Sequence, residues 1–196
     1  MNTDQFWQLI DDVHVASGGD MDRKCELLTA RLRALPYEDL RSFRAEFEGA
    51  DIAAYSWGVW GAIYTLCEGC SDDKFDDFRA TLISCGRATF EKVIGDPDSL
   101  ADVALPDDPC YEGYQYVPTE VETQVLGQPV DRVDWPSEPS GDEWDDSEEE
   151  LARLYPRITK LIEPAKLKRA SRRASRASDS VLAHWFHLIT YDIFRR

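Results

Sequence analysis

The sequence predicts an all-α protein built as a single compact domain. Apolar residues recur at helical spacing through the first hundred residues, and several of these stretches begin at a residue suited to a helix N-cap. In addition, 43% of the 196 residues are hydrophobic, which is typical of globular rather than disordered chains. We place an acidic helical domain at residues 1–162 and a basic linker with an amphipathic tail helix at residues 163–196.

The first three predicted helices are bounded by caps and breaks. Thr3 is the expected N-cap of the first helix, which ends at Ser17-Gly18-Gly19. Asp20 is the expected cap of the second helix. Pro36 opens the third, in the first turn, where a proline is tolerated. Their apolar faces are predicted at Phe6, Ile10, Val13, Cys25, Leu28, Leu32, Leu35, Leu40, Phe43 and Phe47.

Two more helices are predicted before residue 95. Gly49 is expected to break the third helix, and a fourth helix then carries Ala53, Trp57, Trp60, Gly61 and Tyr64 and ends at Glu68-Gly69. Ser71 is expected to cap a fifth helix that continues to Ile94, with acidic residues at its N-terminal end. We expect this fifth helix to be central to the core, through Phe75, Phe78, Leu82, Cys85, Thr89 and Val93.

The chain changes character after Leu105, where prolines interrupt any long element. A short turn is predicted just before, at residues 98–103, while residues 111–126 fit either a helix or an extended segment. Residues 138–150 include eight acidic side chains, which predicts a solvated loop. Ser147 is expected to cap a short helix over residues 148–155.

Net charge narrows the class of partner. The chain carries −16 at neutral pH, which argues against nucleic-acid binding because phosphate recognition needs a basic face. Residues 163–196 hold eight Lys or Arg against three Asp or Glu, a charge of +5, so the rest of the chain carries −21.

No apolar run approaches the roughly 20 residues that span a bilayer, and the N-terminus shows no secretory signal. We therefore expect a cytoplasmic protein.

Four segments together resemble a bacterial family known as domain of unknown function 4240. They are Trp57-Gly58-Val59-Trp60-Gly61-Ala62, Cys70-Ser71-Asp72-Asp73-Lys74-Phe75-Asp76-Asp77-Phe78-Arg79, Leu82-Ile83-Ser84-Cys85-Gly86-Arg87 and Pro97-Asp98-Ser99-Leu100-Ala101. A weaker similarity follows at residues 151–157, so the resemblance covers roughly residues 1–162. It implies a helical, cytoplasmic, stand-alone bacterial protein, and it implies no activity.

Cys67 and Cys70 form a Cys-x-x-Cys pair, which can be a redox centre or half of a zinc site. The remaining cysteines and histidines are scattered singly, and the pair ends a helix instead of beginning one. We favour small buried thiols around a tight turn and expect neither a metal nor a cofactor. A redox or metal site at Cys67 and Cys70 stays as the alternative.

Four aspartates follow the turn, at Asp72, Asp73, Asp76 and Asp77. Carboxylates four residues apart on a helix repel each other, by about 0.2–0.5 kcal/mol a pair, although the helix N-terminus favours negative charge. The favoured interpretation is a capped, solvated helix start. A divalent-cation site and a docking face for a basic partner are the functional alternatives.

Trp57, Trp60 and Tyr64 recur at helical spacing, so we expect them to pack in the core against Phe75 and Phe78. A groove for a partner or ligand is the alternative. Gly58 and Gly61 beside them allow another backbone to come close.

The function that this sequence favours is a non-catalytic protein–protein interaction module, such as an adaptor, an inhibitor or an immunity-type protein. Its acidic body would recognise a basic protein surface. The sequence lacks a nucleophile elbow, a P-loop and a dinucleotide fingerprint, which argues against an enzyme. The hypothetical binding residues are Trp57, Trp60, Asp72, Asp73, Asp76, Arg79 and Arg87. The alternative is an enzyme or metalloprotein with a site around Cys67, Cys70, Asp72 and Asp73.

The basic extension combines a linker with an amphipathic stretch at residues 181–196. Ser175 follows Arg172-Arg173, a context that many kinases accept, and is a candidate modification site. We expect the tail to dock on the acidic body of this chain or on a partner and not on an anionic membrane, because such a membrane would repel the acidic body.

Overall fold

The computed structural model describes residues 1–131 and 134–168, and the all-α prediction is confirmed over these residues. The α-helices are α1 (Thr3–Ser17), α2 (Met21–Arg33), α3 (Tyr37–Ala54), α4 (Trp57–Cys67), α5 (Asp72–Ser84), α6 (Arg87–Gly95), α7 (Val117–Leu126) and α8 (Glu148–Leu154), with 3₁₀ helices at Pro97–Asp102 and Tyr114–Tyr116. The only β-pairing in this described part is an isolated bridge between Ser56 and Ser140.

The chain divides into two units, Met1–Ile158 and Thr159–Arg196. The described part of the second unit, residues 159–168, is helical. Most of the predicted basic extension, including Ser175 and the amphipathic stretch at 181–196, lies outside the described residues. No helix in the described ranges is both long and apolar enough to cross a membrane.

Side-chain caps place several helix starts where the sequence indicated. Asp20 accepts a hydrogen bond from the backbone N–H of Arg23 at 2.7 Å, and Ser71 accepts one from Lys74 at 3.4 Å. The cap of α1 is Asn2 instead of Thr3. Asn2 and Gln5 exchange two hydrogen bonds of 2.9 Å and form a reciprocal capping box, which starts the helix one residue earlier than predicted.

Two glycines behave in the opposite way to the prediction. Gly49 lies inside α3, which continues to Ala54, so Ala53 belongs to α3 and not to α4. A glycine costs a helix only about 1 kcal/mol relative to alanine, which packing can offset. Gly86 does interrupt the predicted fifth helix, because its φ of 92° is left-handed and Asp11 accepts a hydrogen bond from the N–H of Arg87 at 2.9 Å.

The helix α5 lies at the centre of the first unit, as predicted. It packs against α1, α3, α4, α6 and the 3₁₀ helix Tyr114–Tyr116. Phe75, Phe78 and Leu82 are fully buried, and residues 78–84 are buried on every face. Because residues 78–84 are enclosed, the side chains on the exposed N-terminal turn of α5 are held on a rigid support.

The acidic segment at residues 138–150 is not only a solvated loop. Ser140 exchanges backbone hydrogen bonds with Tyr55 and Trp57 at 3.0 and 2.9 Å, and the half-buried Trp144 packs against Trp57 and Tyr64. The sequence did not reveal this anchoring because its partners lie 80 or more residues earlier. Ser147 caps α8 as predicted.

Candidate functional site

The first turns of α5 and the segment before α7 together form an acidic surface, defined here by Asp73, Asp76, Asp77, Asp108 and Glu112. Asp73, Asp76, Asp108 and Glu112 are exposed, and Asp77 is half-buried. Burial and the neighbouring carboxylates of this surface raise the pKa of Asp77 to about 6. The fold therefore holds other carboxylates close enough to Asp77 to oppose its ionisation.

Tyr116 adds an aromatic ring to the acidic surface. It is 47% exposed, and its pKa is raised first by burial and then by the charges of Glu112, Asp77, Asp76 and Asp73. Gln115 next to it donates a 2.5 Å hydrogen bond to Asp77 and ties the 3₁₀ helix to α5. Asp72, the first residue of α5, is exposed at the helix N-terminus beside this surface.

Arg79 is buried behind the acidic surface, with only 3% of its side chain exposed. Its guanidinium donates 2.8 Å hydrogen bonds to Asp51 and Asp76. Its Cζ atom lies 4.8–5.3 Å from the ring centroids of Tyr55, Phe75 and Trp135. Two carboxylates and three rings of its own chain thus occupy the arginine, and it fixes the position of Asp76.

Trp57 and Trp60 form a stack that supports the α4–α5 turn. Their rings are parallel within 3° at 5.3 Å, and Trp60 stacks on Phe75 at 4.9 Å. Trp60 Nε1 donates to the carbonyl of Cys70 at 3.0 Å. Both indoles are half-buried, so most of their surface packs within the protein, as the core interpretation predicts.

The contacts of Arg87 are elsewhere, at the start of α6. Its guanidinium donates to Asp4 of α1 at 2.7 Å and to Glu91 of its own helix at 2.6 Å. The structure brings Asp73, Asp76 and Arg79 together on α5, with the two tryptophans behind the turn. It gives Arg87 no contact with that group.

Cys67 and Cys70 acquire a third thiol that the sequence did not associate with them. The Cys110 side chain lies close enough to both to affect their pKa, while the Cys70 thiol donates a 3.6 Å hydrogen bond to the Ser71 carbonyl. Cys67 is exposed, Cys70 is buried and Cys110 is half-buried, and all three are free thiols. Cys70 and Cys110 come from segments forty residues apart, so neither spacing nor a local motif could have paired them.

A cavity of about 720 Å³, called here the Lys24 cavity, is lined in part by His14, Lys24, Cys85 and Asp108. Lys24 is 1% exposed and donates a 2.9 Å hydrogen bond to the Ser84 hydroxyl. Burial lowers the pKa of Lys24, and no carboxylate of the described residues pairs with it. Its charge lies at the C-terminus of α5, where the helix dipole favours a cation.

His14 completes this cavity. Its ring reaches the Ser84 carbonyl, while burial and the charge of Lys24 lower its pKa. Its Nδ1 atom is buried and finds no hydrogen-bond partner among the described residues. The sequence did contain a signal for this site, because Lys24 precedes the buried Leu28 and Leu32 by four and eight residues and so lies on their apolar face.

Within residues 1–131 and 134–168, no three His, Cys, Asp or Glu side chains lie where they could hold a metal ion together.

A comparison with protein families assigns the chain to a family. A family model described as "Protein of unknown function (DUF4240)" matches residues 1–122. The chain belongs to the DUF4240 family. No curated protein and no solved structure matches it.

The DUF4240 match ends before the weaker similarity at residues 151–157. It contains the acidic surface, the three thiols and every lining residue of the Lys24 cavity. These features therefore lie within the part of the chain that the family model matches.

Proposed function

We propose that this DUF4240 protein is a non-catalytic protein–protein interaction module, such as an adaptor, inhibitor or immunity-type protein, whose acidic surface binds a basic protein in the cytoplasm. One observation carries the proposal. Carboxylates from α5 and from Glu112 lie near the exposed ring of Tyr116, and burial together with neighbouring carboxylates raises the pKa of Asp77 to about 6.

This arrangement supports binding because the repulsion among the carboxylates is relieved by an incoming cation. Complementary charge steers a basic partner toward the surface and speeds association. Tyr116 supplies the aromatic contact area that carries much of the energy in many interfaces. The rigid α5 holds the carboxylates in place before the partner arrives, which reduces the entropy lost on binding.

The predicted binding residues take two roles in this proposal. Asp72, Asp73 and Asp76 face the partner. Arg79 and the stacked Trp57 and Trp60 hold α5 and its N-terminal turn in position. Arg87 has no part in this surface.

The test compares two triple variants of equal charge. Asp73→Asn/Asp108→Asn/Glu112→Gln neutralises the acidic surface, and Asp142→Asn/Glu143→Gln/Asp146→Asn neutralises exposed carboxylates of the segment before α8. The partner is first identified by pull-down from the native host, and its affinity is then measured by titration calorimetry. We expect the first variant to weaken binding by about tenfold or more, equivalent to about 1.4 kcal/mol, and the control by less than about twofold.

The dependence on pH is a second readout. Asp77 ionises as the pH rises through about 6, so affinity for a basic partner should increase between pH 5 and 7. The variant Asp77→Asn should lose this increase. Equal loss of affinity in both triple variants would show that net charge alone, and not this surface, governs binding.

A second candidate function is favoured by the Lys24 cavity. The enzyme alternative is centred on Cys67, Cys70, Asp72 and Asp73. The buried amine lies instead at Lys24, which forms no ion pair with a carboxylate of residues 1–131 and 134–168. Perturbed groups in a cavity are typical of reactive sites. We propose small carbonyl compounds as the ligand class, because a neutral amine adds to a carbonyl and releases water as the imine forms.

Reductive trapping tests this candidate. The intact protein is treated with a short aliphatic aldehyde and cyanoborohydride at near-neutral pH, and the modified lysine is located by peptide mass spectrometry. Lys24 should be modified faster than the exposed Lys74, because its lowered pKa leaves more neutral amine. Modification of Lys74 alone would exclude a reactive amine in the cavity.

A further inference from the structure

Four aspartates line the Lys24 cavity together with the buried amine. Asp20 and Asp22 belong to the start of α2, Asp107 and Asp108 lie between the two 3₁₀ helices, and all four are exposed. Lys24 lines the same cavity but is only 1% exposed, so it belongs to the inner wall. The cavity therefore combines an acidic rim, defined here by these four aspartates, with a buried amine.

The protein does not balance the charge of the acidic rim. Among the described residues that line the cavity, Lys24 is the only lysine or arginine, and it forms no ion pair with the rim. The rim carboxylates accept hydrogen bonds from neutral groups instead. Asp20 and Asp108 accept backbone N–H bonds of 2.7 and 3.1 Å, and Asp22 accepts the Tyr111 hydroxyl at 2.5 Å. A positive charge on a ligand would supply what the rim lacks.

The inner wall also offers polar groups that the protein leaves available. Lys24 donates one hydrogen bond, to the Ser84 hydroxyl at 2.9 Å, although a lysine amine has more than one hydrogen to donate. The buried Nδ1 atom of His14 has no hydrogen-bond partner among the described residues. The volume of about 720 Å³ lies within the range of small-molecule sites, roughly 300–1,000 Å³. A ligand can therefore place a polar group at the inner wall and a charge at the rim.

We propose that the Lys24 cavity selects carbonyl compounds that carry a positive charge, such as amino-aldehydes, over neutral carbonyl compounds and keto acids. The carbonyl group lies at Lys24 and the positive charge at the acidic rim. The proposal rests on the imine chemistry proposed above for Lys24 and adds to it the charge of the ligand. The neutral amine forms a C–N bond to the carbonyl carbon, and the carbonyl oxygen leaves as water with both amine hydrogens, which gives the imine.

Coulomb's law gives the direction of the selection. The rim attracts a cationic ligand and repels the carboxylate of a keto acid. The amine of Lys24 does not oppose this preference, since it is neutral in the form that reacts. Because the rim carboxylates are exposed, salt screens their effect, and the preference should be strongest at low ionic strength.

The experiment uses a pair of aldehydes with the same shape and different charge. Trimethylammonioacetaldehyde and 3,3-dimethylbutanal differ by a quaternary nitrogen in place of a carbon, and succinic semialdehyde is the anionic probe. The full-length protein is treated with each aldehyde and cyanoborohydride, which delivers hydride to the imine carbon. Peptide mass spectrometry then gives the rate of modification at Lys24 divided by that at the exposed Lys160, which corrects for the intrinsic reactivity of the aldehyde.

We expect this ratio to be about tenfold larger for the cationic aldehyde than for its neutral isostere, and smallest for the anionic one. Sodium chloride at about 0.5 M should remove most of the difference in the wild type, a readout that needs no substitution. Equal ratios for the two isosteres would overturn the charge selection and leave the reactive amine in place. Absence of modification at Lys24 with every aldehyde would overturn the imine site itself, and the selection with it.

A pair of double variants locates the selection. Asp22→Asn/Asp107→Asn removes two rim charges but keeps the other two aspartates, one of which caps α2 while the other belongs to the acidic surface. It should reduce the preference for the cationic isostere to less than about threefold. The control Asp142→Asn/Glu143→Gln removes two exposed charges outside the cavity and should keep the preference of the wild type. An undiminished preference in the rim variant would show that other groups select the ligand.

Discussion

Replacing Arg79 by methionine tests the organisation of the α5 N-terminal half most directly. The substitution keeps an unbranched side chain and removes the cation. Asp76 is 52% exposed and can be rehydrated, but the Asp51 side chain is only 15% exposed and would keep an uncompensated charge. Breaking a buried ion pair in this way costs about 3–5 kcal/mol, whereas an exposed pair contributes about 0–1 kcal/mol. Asp51 therefore determines the loss, which we expect near 3–5 kcal/mol at neutral pH.

The loss should depend on pH in a defined direction. Burial already raises the pKa of Asp51, and Arg79 opposes that rise. Without Arg79 the folded-state pKa rises further above the unfolded value. A carboxyl with a raised folded pKa binds its proton more tightly in the folded state, so it destabilises the fold more as pH increases. The deficit of Arg79→Met should thus be largest near pH 7 and shrink toward pH 4.

Urea unfolding followed by far-ultraviolet circular dichroism measures both effects. The control is Arg153→Met, since Arg153 is 67% exposed and pairs with Glu150 on the surface, and it should cost less than about 1 kcal/mol. The double variant Arg79→Met/Asp51→Leu should recover much of the lost stability by removing the stranded carboxylate. A cost no larger than that of Arg153→Met, or one independent of pH, would refute this account of Arg79.

Three substitutions follow from the same packing. Phe78→Ala empties a fully buried position on α5 and should lower the free energy of unfolding by about 3–5 kcal/mol in urea titrations; an unchanged midpoint would show that the face is misassigned. Gly61→Ala places a methyl group against the Tyr155 hydroxyl and the Trp144 indole, so it should lower the free energy of unfolding by about 1–3 kcal/mol in the same titrations. Gly49→Ala is the control, because its added methyl group meets no atom within 4 Å. Asp72→Asn removes a charge from the first turn of α5 and should cost about 0.3–1 kcal/mol by thermal unfolding, with a gain in stability contradicting a dipole role.

The sequence alone predicts those helix starts that depend on a hydrogen bond within the first turn of the helix. The caps Asp20, Ser71 and Ser147 each bond a backbone N–H three residues ahead, so the sequence alone could locate them. The break between α5 and α6 could not be located in this way. The apolar spacing continues from Phe78 across Gly86, and the interruption depends on Asp11 of α1, which accepts the first N–H of α6.

The candidate sites were predicted least completely, for the same reason. The sequence indicates Asp73 and Asp76 because they lie three residues apart on one helix. Asp108 and Glu112 join them from another segment, as Cys110 joins Cys67 and Cys70. The pairing depends on how the chain returns to α5 after the 3₁₀ helix Pro97–Asp102, which no local motif encodes. Lys24 is different, because its spacing from Leu28 and Leu32 places it on their apolar face in the sequence itself. The sequence analysis assigns Cys25 to that face and therefore misses Lys24.

The use of arginine indicates which carboxylates the fold needs. Arg44 pairs with Glu48 and Glu122, and Arg79 with Asp51 and Asp76, so these acids contribute to structure. Asp77 instead meets Gln115 and other carboxylates, and its charge opposes folding. A surface that reduces stability is typical of function.

That argument predicts that Asp77→Asn stabilises the protein, with Gln115 still donating to the new amide oxygen. A pKa raised to about 6 means that the wild type loses stability as pH rises from about 4 to 6, while the asparagine variant does not. The full shift corresponds to about 3 kcal/mol, and the partial exposure of Asp77 reduces the expected gain to about 1 kcal/mol above pH 6. Urea titrations at pH 4 and 7 should show equal stability at the lower pH and the gain at the higher one. A variant less stable than the wild type at pH 7 would place Asp77 among the carboxylates that the fold requires.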